Sequence, residues 1–123
     1  MTKRPTLEPP RIGARLAGSG SATPARVLTN ADLEKMMDTT DEWIVQRTGI
    51  HTRHIINRDA GENALTLATQ ALNKALADAR MQGSDLDFIV LSTMCMEMHC
   101  PPSACQLATA VGAQNCGAFD LSS

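Results

Sequence analysis

The clearest pattern of apolar positions lies in the middle of the chain, over residues 63–82. Leucine and alanine recur there at intervals of three and four, at Leu65, Ala68, Leu72, Leu76 and Ala79. This period places them on one face, and it predicts a helix over 63–82 that Gly83 terminates. A face so rich in alanine is typical of a helix that packs closely on a sheet.

A run of successive apolar residues follows this helix. Residues 88–93 read FIVLST, which predicts a strand covered on both faces, as in a parallel sheet. Two prolines favour the start of a further helix over 102–111, and residues 116–121 (CGAFDL) predict another strand. The order helix, strand, helix, strand indicates an α/β domain with right-handed crossovers.

The first third of the chain has a weaker pattern. Residues 12–18 alternate in polarity, which predicts a strand, and a loop with glycine and proline follows it. We expect a short helix over 30–37, because Asn30 is a good N-cap and the apolar residues after it share a face. Residues 51–56 predict a strand or an extended connection.

The segment between these elements, residues 38–55, contains the only tryptophan. Thr39 followed by Glu42 predicts a capping box at the start of a helix, and Gly49 is a natural stop. In a helix that begins there, Thr39, Trp43 and Arg47 form one stripe. An indole, a guanidinium and a hydroxyl suit a flat heteroaromatic ring that carries phosphates.

A simpler interpretation of the same stripe has no ligand. Tryptophan at this spacing commonly packs on a neighbouring element. The nearby arginine would then pair with a carboxylate such as Asp41 or Glu42. The spacing alone does not separate the two interpretations.

Composition narrows the class of protein. The chain has 123 residues, enough for one core, and only 2% are aromatic. A net charge of −2 argues against nucleic acid as the main partner, and no apolar run is long enough for a membrane span. Residues 1–11 contain three prolines and no apolar signal region, so we expect a flexible extension and a cytoplasmic protein.

The four cysteines lie in the last third of the chain. They contain no CxxC pair, so we predict reduced thiols and no metal site, with Cys105 and Cys116 as buried small residues. A less favoured alternative is a Cu(I) site formed by the soft ligands Met94, Cys95, Met96, Met98, His99 and Cys100. The neighbours His99 and Cys100 also suggest a Cys–His pair, although sequence neighbours rarely meet in usable geometry.

Four segments together resemble a known family. They read LTNADLEKMMDTTDEWIVQRTGIHTRHI, FIVLSTM, PPSACQLATAVGA and GAFDLSS. They are similar to β-ketoacyl-acyl-carrier-protein synthase III, the condensing enzyme that starts bacterial fatty-acid synthesis. The resemblance extends from about residue 12 to residue 123. Within it, TNADLEKM and DEWIVQRTGI are specific to this family and its close relatives.

The resemblance implies an α/β chain that forms part of the N-terminal half of a thiolase-like α-β-α-β-α fold, usually dimeric. Residues 12–123 would be an incomplete N-terminal domain. The implied enzyme moves an acyl group from acyl-coenzyme A, a substrate and not a cofactor, to a cysteine. Malonyl-acyl-carrier protein then loses CO2, and the carbanion attacks the thioester.

The resemblance also implies which functions this chain carries. The family's nucleophile would lie two residues beyond Ser123, and its catalytic His and Asn would lie in the second half. The chain would therefore hold the coenzyme-stacking helix without catalytic residues, and would be inactive alone. The alternative is a non-catalytic module that binds coenzyme A or associates with a full-length synthase.

Two groups of residues match the family's binding positions. Trp43 matches the family residue that stacks on the adenine of coenzyme A, and Arg47 matches an arginine that contacts the nucleotide and its phosphates. Thr39 and Thr48 match hydroxyl groups that line the mouth of the same coenzyme site. Cys100, with Met98 nearby, lies in the loop where well-known members place a bulky aromatic that reaches the partner subunit's acyl pocket. The smaller side chain leaves the acyl preference open to longer or bulkier primers.

Overall fold

The computed structural model describes residues 13–96, 98 and 100–122. The expected flexible extension over 1–11 lies outside these residues. The elements in chain order are β1 (Arg26–Thr29), α1 (Asn30–Glu34), α2 (Asp41–Thr48), β2 (Thr52–Ile55), α3 (Ala64–Ala79), β3 (Phe88–Ser92), α4 (Ser103–Ala110) and β4 (Gly117–Leu121). Single 3-10 turns at Arg58–Ala60 and Gly83–Asp85 precede α3 and β3.

Two groups of elements make up the described fold. In the first, β1 pairs antiparallel with β2, so that Arg26 lies opposite Ile55 and Thr29 opposite Thr52. Helices α1 and α2 lie between these strands in sequence and pack on each other. The predicted strand over 51–56 is therefore confirmed, and its partner β1 lies where the pattern predicted a loop.

In the second group, β3 and β4 form a parallel pair in which Phe88 lies opposite Gly117. Helix α4 connects the two strands and packs on both, and α3 packs on α4. The buried core lies between these helices and the sheet, and consists of Ile89, Ala104, Leu107, Ala108 and Ala113. The predicted α/β order from residue 63 is confirmed.

The prediction that β3 is covered on both faces is wrong for the described residues. Ile89 is buried, whereas Phe88 is 57% exposed and Val90 is 52% exposed. The rings of Phe88 and Phe119 meet edge to face, with centroids 5.6 Å apart, on that open side. The reason is that helices α3 and α4 lie against one face of this two-stranded sheet.

The predicted strand over 12–18 is also wrong, since residues 13–24 have no regular secondary structure. This segment runs along α3 instead. The Ser19 amide donates to Asp78 Oδ2 at 2.9 Å, and Lys74 Nζ donates to the Ser21 carbonyl at 2.8 Å. An alternating pattern forms a strand only beside a partner strand, and in the described residues the neighbour is a helix.

Helix boundaries differ from the predictions where two adjacent residues both suit a cap. The N-cap of α1 is Thr29, whose hydroxyl accepts from the Asp32 amide at 3.2 Å, and not Asn30. Helix α1 also ends at Glu34, three residues earlier than predicted. Asn30 is left free for a different role, described below.

Helix α3 ends three residues before its predicted end. Its last residue is Ala79, and Arg80 takes the left-handed conformation with φ of 57°. Gly83, the predicted stop, instead packs against the backbone after α4, where a Cβ atom would overlap the Val111 carbonyl. Gly83 is therefore a close-packing position between the turn before β3 and the end of α4.

The start of α4 is capped across space. Its N-cap residue, Pro102, has no side-chain hydrogen bond to offer. The carboxylate of Asp120, in β4, accepts from the Ser103 amide and the Ala104 amide, both at 2.7 Å. This one side chain thus links β4 to the helix that fills the core.

Candidate functional site

Helix α2 holds the predicted stripe, and a hydroxyl and a glycine define its ends. The N-cap is Thr40, whose Oγ1 accepts from the Trp43 amide at 3.1 Å, so the predicted capping box of Thr39 with Glu42 is wrong. Gly49 ends the helix with φ of 69°, as predicted. Thr39 therefore precedes the helix and does not continue its face.

Trp43 and Arg47 lie on the same side of α2. The indole is 55% exposed, and the Arg47 guanidinium carbon lies 5.8 Å from the ring centroid. This distance is within the range of a cation–π contact. Among the described residues the one ion pair is that of Lys35 with Asp32, so Arg47 is not paired with Asp41 or Glu42.

A shallow concavity opens beside the indole. Its volume is about 270 Å³, and Asp38, Thr39, Thr40 and Trp43 line it. Thr39 thus reaches the tryptophan from the loop before α2 and not from within the helix. The arrangement presents an aromatic face beside hydroxyl groups, which suits a planar ring with polar edges.

Thr48 lies at the other end of α2. Its hydroxyl donates to the Ile44 carbonyl at 2.7 Å and accepts from the Ile50 amide at 3.1 Å. Both bonds serve the end of the helix. The structure therefore places Thr39 and Arg47 each beside Trp43, whereas Thr48 does not line the concavity.

The loop before α4 contains the second group of predicted residues. Cys100 and Met98 are both exposed, and Cys100 is a free thiol. His99, the other member of the suggested Cys–His pair, lies outside the described residues. In the part of the chain that is described, no cluster of three or more His, Cys, Asp or Glu residues could hold a metal ion.

The prediction that Cys105 and Cys116 are buried is wrong in degree, because both are half-buried. They line a cavity of about 290 Å³ beside α4. The Cys105 thiol lies 3.9 Å from the Ala118 carbonyl. Among the described residues, neither thiol contacts a charged group that could activate it as a nucleophile.

A buried polar cluster behind α2 was missed at the sequence level. The Asn30 side chain is almost fully buried and contacts Asp41, the Ile50 carbonyl and Arg53. Next to it, the hydroxyl and amide of Thr29 and the Lys35 ammonium lower the pKa of Asp32 to about 2. A polar residue at a helix start normally indicates a cap, so the pattern gave no signal for a buried amide.

Known proteins resemble most of the chain, although no protein-family model matches it. The chain is 46% identical over 112 residues to the β-ketoacyl-[acyl-carrier-protein] synthase III of Caldanaerobacter subterraneus subsp. tengcongensis. The matched region covers 91% of this chain and 33% of the relative. The corresponding synthase III of Xylella fastidiosa (strain Temecula1) is 47% identical over 90% of this chain and 34% of its own length. The chain thus spans about a third of the length of the curated relatives it matches.

A solved structure of a synthase III also matches this chain. The 3-oxoacyl-[acyl-carrier-protein] synthase III of Aquifex aeolicus VF5 is 40% identical and superposes with a TM-score of 0.86, over 90% of this chain and 35% of that one. The described residues therefore adopt part of the same α/β fold. None of the described helices has the length and apolar character needed to cross a membrane.

Proposed function

We propose that helix α2 binds the adenine end of coenzyme A in this chain, a part-length relative of the β-ketoacyl-[acyl-carrier-protein] synthase III family, whose fold is thiolase-like. One observation carries the proposal. Trp43 presents an exposed indole face, with Arg47 5.8 Å from its ring centroid and a concavity of about 270 Å³ beside it.

The chemistry of these side chains matches that ligand. An aromatic ring that stacks on a nucleobase contributes about 1–3 kcal/mol. The Arg47 guanidinium has no carboxylate partner among the described residues, so its donors can serve a phosphate. Thr39 supplies a hydroxyl at the edge of the concavity, and we assign Thr48 a weaker part because its hydroxyl is used inside α2.

The proposed reaction is that of the whole family member. An acyl-coenzyme A primer and malonyl-acyl-carrier protein are condensed in the cytoplasm by a homodimer, at the start of fatty-acid synthesis. We assign the loop with Met98 and Cys100 to the acyl pocket. The chain on its own would bind coenzyme A without condensation, because none of its four free thiols contacts an imidazole of the described residues.

Coenzyme A titration followed by Trp43 fluorescence tests the binding. We expect saturable quenching, and Arg47→Ala should weaken the affinity by about tenfold, equivalent to ~1.4 kcal/mol. Arg58→Ala is the matched control, since Arg58 is exposed in the 3-10 turn before α3, away from the concavity. Equal affinities for the Arg47 and Arg58 variants would contradict the assignment.

One observation favours the alternative, a non-catalytic module that associates with a synthase. The open face of the β3–β4 sheet exposes Phe88, Val90, Phe119 and Leu121 by 44–57% each. A contiguous apolar patch of this kind is typical of an interaction surface. Size-exclusion chromatography of the chain with a full-length synthase discriminates: co-elution favours the module, and separate elution counts against it.

A further inference from the structure

We propose that Asn30 is a positioning residue for the coenzyme helix, which it holds through a hydrogen-bonded cluster with Asp41, Arg53 and the Ile50 carbonyl. None of these groups lines the concavity. The proposal rests on the proposed function for its ligand, although the arrangement of the cluster and its effect on Trp43 do not depend on that ligand.

Asn30 contacts the segments at both ends of α2. Its Nδ2 donates to Asp41 Oδ1 at 2.6 Å, and Asp41 is the first residue of the helix. The same Nδ2 donates to the Ile50 carbonyl at 2.9 Å, immediately after the Gly49 cap. With 2% of its surface exposed, Asn30 is the largest fully buried side chain of the described residues. Water therefore does not replace these bonds.

A third bond joins the cluster to the sheet. Arg53 Nη2, from β2, donates to Asn30 Oδ1 at 2.6 Å. Only a side-chain amide donates to the Asp41 carboxylate and the Ile50 carbonyl while it accepts from a guanidinium. A carboxylate in its place would lack the donors, and an apolar side chain would remove all three hydrogen bonds from this part-buried cluster.

Helix α2 depends on this cluster because its apolar anchorage is small. Ile44 is its only buried residue, and Trp43 and Arg47 face outwards. One further bond, from the Asp41 amide to Glu34 Oε1 at 2.6 Å, connects α2 to α1. Polar contacts at the helix ends therefore set the direction in which the indole points, two residues after Asp41.

The test exchanges the amide and the carboxylate. Asn30→Asp removes both donated bonds and places a carboxylate against Asp41. The double variant Asn30→Asp with Asp41→Asn restores one donor–acceptor pair and keeps the acceptor for Arg53. Asn73→Asp, on the exposed side of α3, is the matched control. Arg53→Met, which removes the bond from β2 together with the buried, unpartnered Nη1 of Arg53, is the milder second variant.

Each variant is measured in two ways, under conditions where far-ultraviolet circular dichroism shows that the chain is folded. The chain has one tryptophan and no tyrosine, so the long-wavelength edge of the near-ultraviolet dichroism reports on Trp43 alone. The second readout is the Kd for coenzyme A by isothermal titration calorimetry. A purely structural role would lower stability without moving either signal of the folded protein.

We expect Asn30→Asp to weaken coenzyme A binding by roughly tenfold and to remove roughly half of the Trp43 band, because misplacement of a binding group is costly. Arg53→Met should weaken coenzyme A binding and reduce the Trp43 band by smaller amounts. The double variant Asn30→Asp with Asp41→Asn should recover most of the lost affinity and band intensity. Asn73→Asp should change neither the affinity nor the band. If Asn30→Asp fails to fold, Arg53→Met and the exchanged pair decide. An unchanged Trp43 band in those variants overturns the positioning role. If the Trp43 band changes in the variants as expected but the unmodified chain does not bind coenzyme A, the proposed function is overturned and the positioning role is not.

Discussion

Removal of the Asp120 carboxylate should loosen the core helix α4, although Asp120 lies in a strand. Both of its oxygens accept amide hydrogens at the start of α4, from Ser103 and Ala104, each at 2.7 Å. The N-cap residue Pro102 offers no substitute. We therefore expect Asp120→Ala to leave two amides at a buried helix start without partners, since Ser103 is 5% exposed and Ala104 is fully buried.

The magnitude follows from the kind of bond that is lost. A hydrogen bond to a charged group contributes about 1.5–3 kcal/mol, and loss of a helix cap costs about 0.5–2 kcal/mol. These contributions overlap, so Asp120→Ala should lower the free energy of unfolding by about 2–4 kcal/mol. Asp120→Asn keeps one acceptor oxygen and loses the charge that complements the helix dipole, which predicts a loss of about 1–2 kcal/mol.

Urea denaturation followed by far-ultraviolet circular dichroism measures both losses. Asp87→Asn, at the exposed position immediately before β3, serves as the control and should change the free energy of unfolding by less than about 0.5 kcal/mol. The reasoning is refuted if Asp120→Ala unfolds at the urea concentration of the control, or if Asp120→Asn is as damaging as Asp120→Ala.

Two further predictions concern packing and pH. Gly83→Ala should lower the free energy of unfolding, measured by urea denaturation, by about 1–3 kcal/mol, because its Cβ would overlap the Val111 carbonyl. Gly13→Ala is the control and should leave the stability unchanged, since a Cβ there meets nothing within 4 Å. Equal stabilities of the two variants would contradict the close approach at Gly83. The pKa of Asp32 is lowered from 3.8 to about 2 by the Thr29 hydroxyl, the Thr29 amide and Lys35, so its ionised form favours the folded state. Its contribution to stability is full above about pH 4 and is lost as the pH falls towards 2. Carboxyl NMR titration should give the low pKa, and Thr29→Ala should raise it; an ordinary pKa in the unmodified chain would contradict the cap.

The elements that the sequence predicts best are those with the strongest period. Helix α3, strand β3, helix α4 and strand β4 all lie where the apolar pattern places them, because burial against one another imposes that pattern. The exposed face of β3 shows the limit of the same signal. A run of four apolar residues predicts two covered faces, but which chain covers the second face is not encoded in the run.

Caps and polar clusters are less predictable for a different reason. Thr39 and Thr40 are equally good N-caps by residue type, and only the path of the loop decides that Thr40 accepts the Trp43 amide. Likewise, Asn30 and Asp120 form bonds with residues 11 to 23 positions away. A local sequence pattern gives no information about hydrogen-bond partners so far apart in sequence. The roles of Asn30 and Asp120 can therefore be recognised only once the fold is known.

The two groups of elements therefore differ in what holds them together. The group of α3, β3, α4 and β4 is held by an apolar core, whereas β1, α1, α2 and β2 surround the buried amide of Asn30. Apolar packing tolerates small shifts, but a hydrogen-bonded amide with three partners permits one arrangement. A helix that must present an indole in a fixed direction is better held by the second kind of contact. Under the proposed coenzyme A role of α2, this difference explains why the helix combines a small apolar anchor with a fully buried polar one.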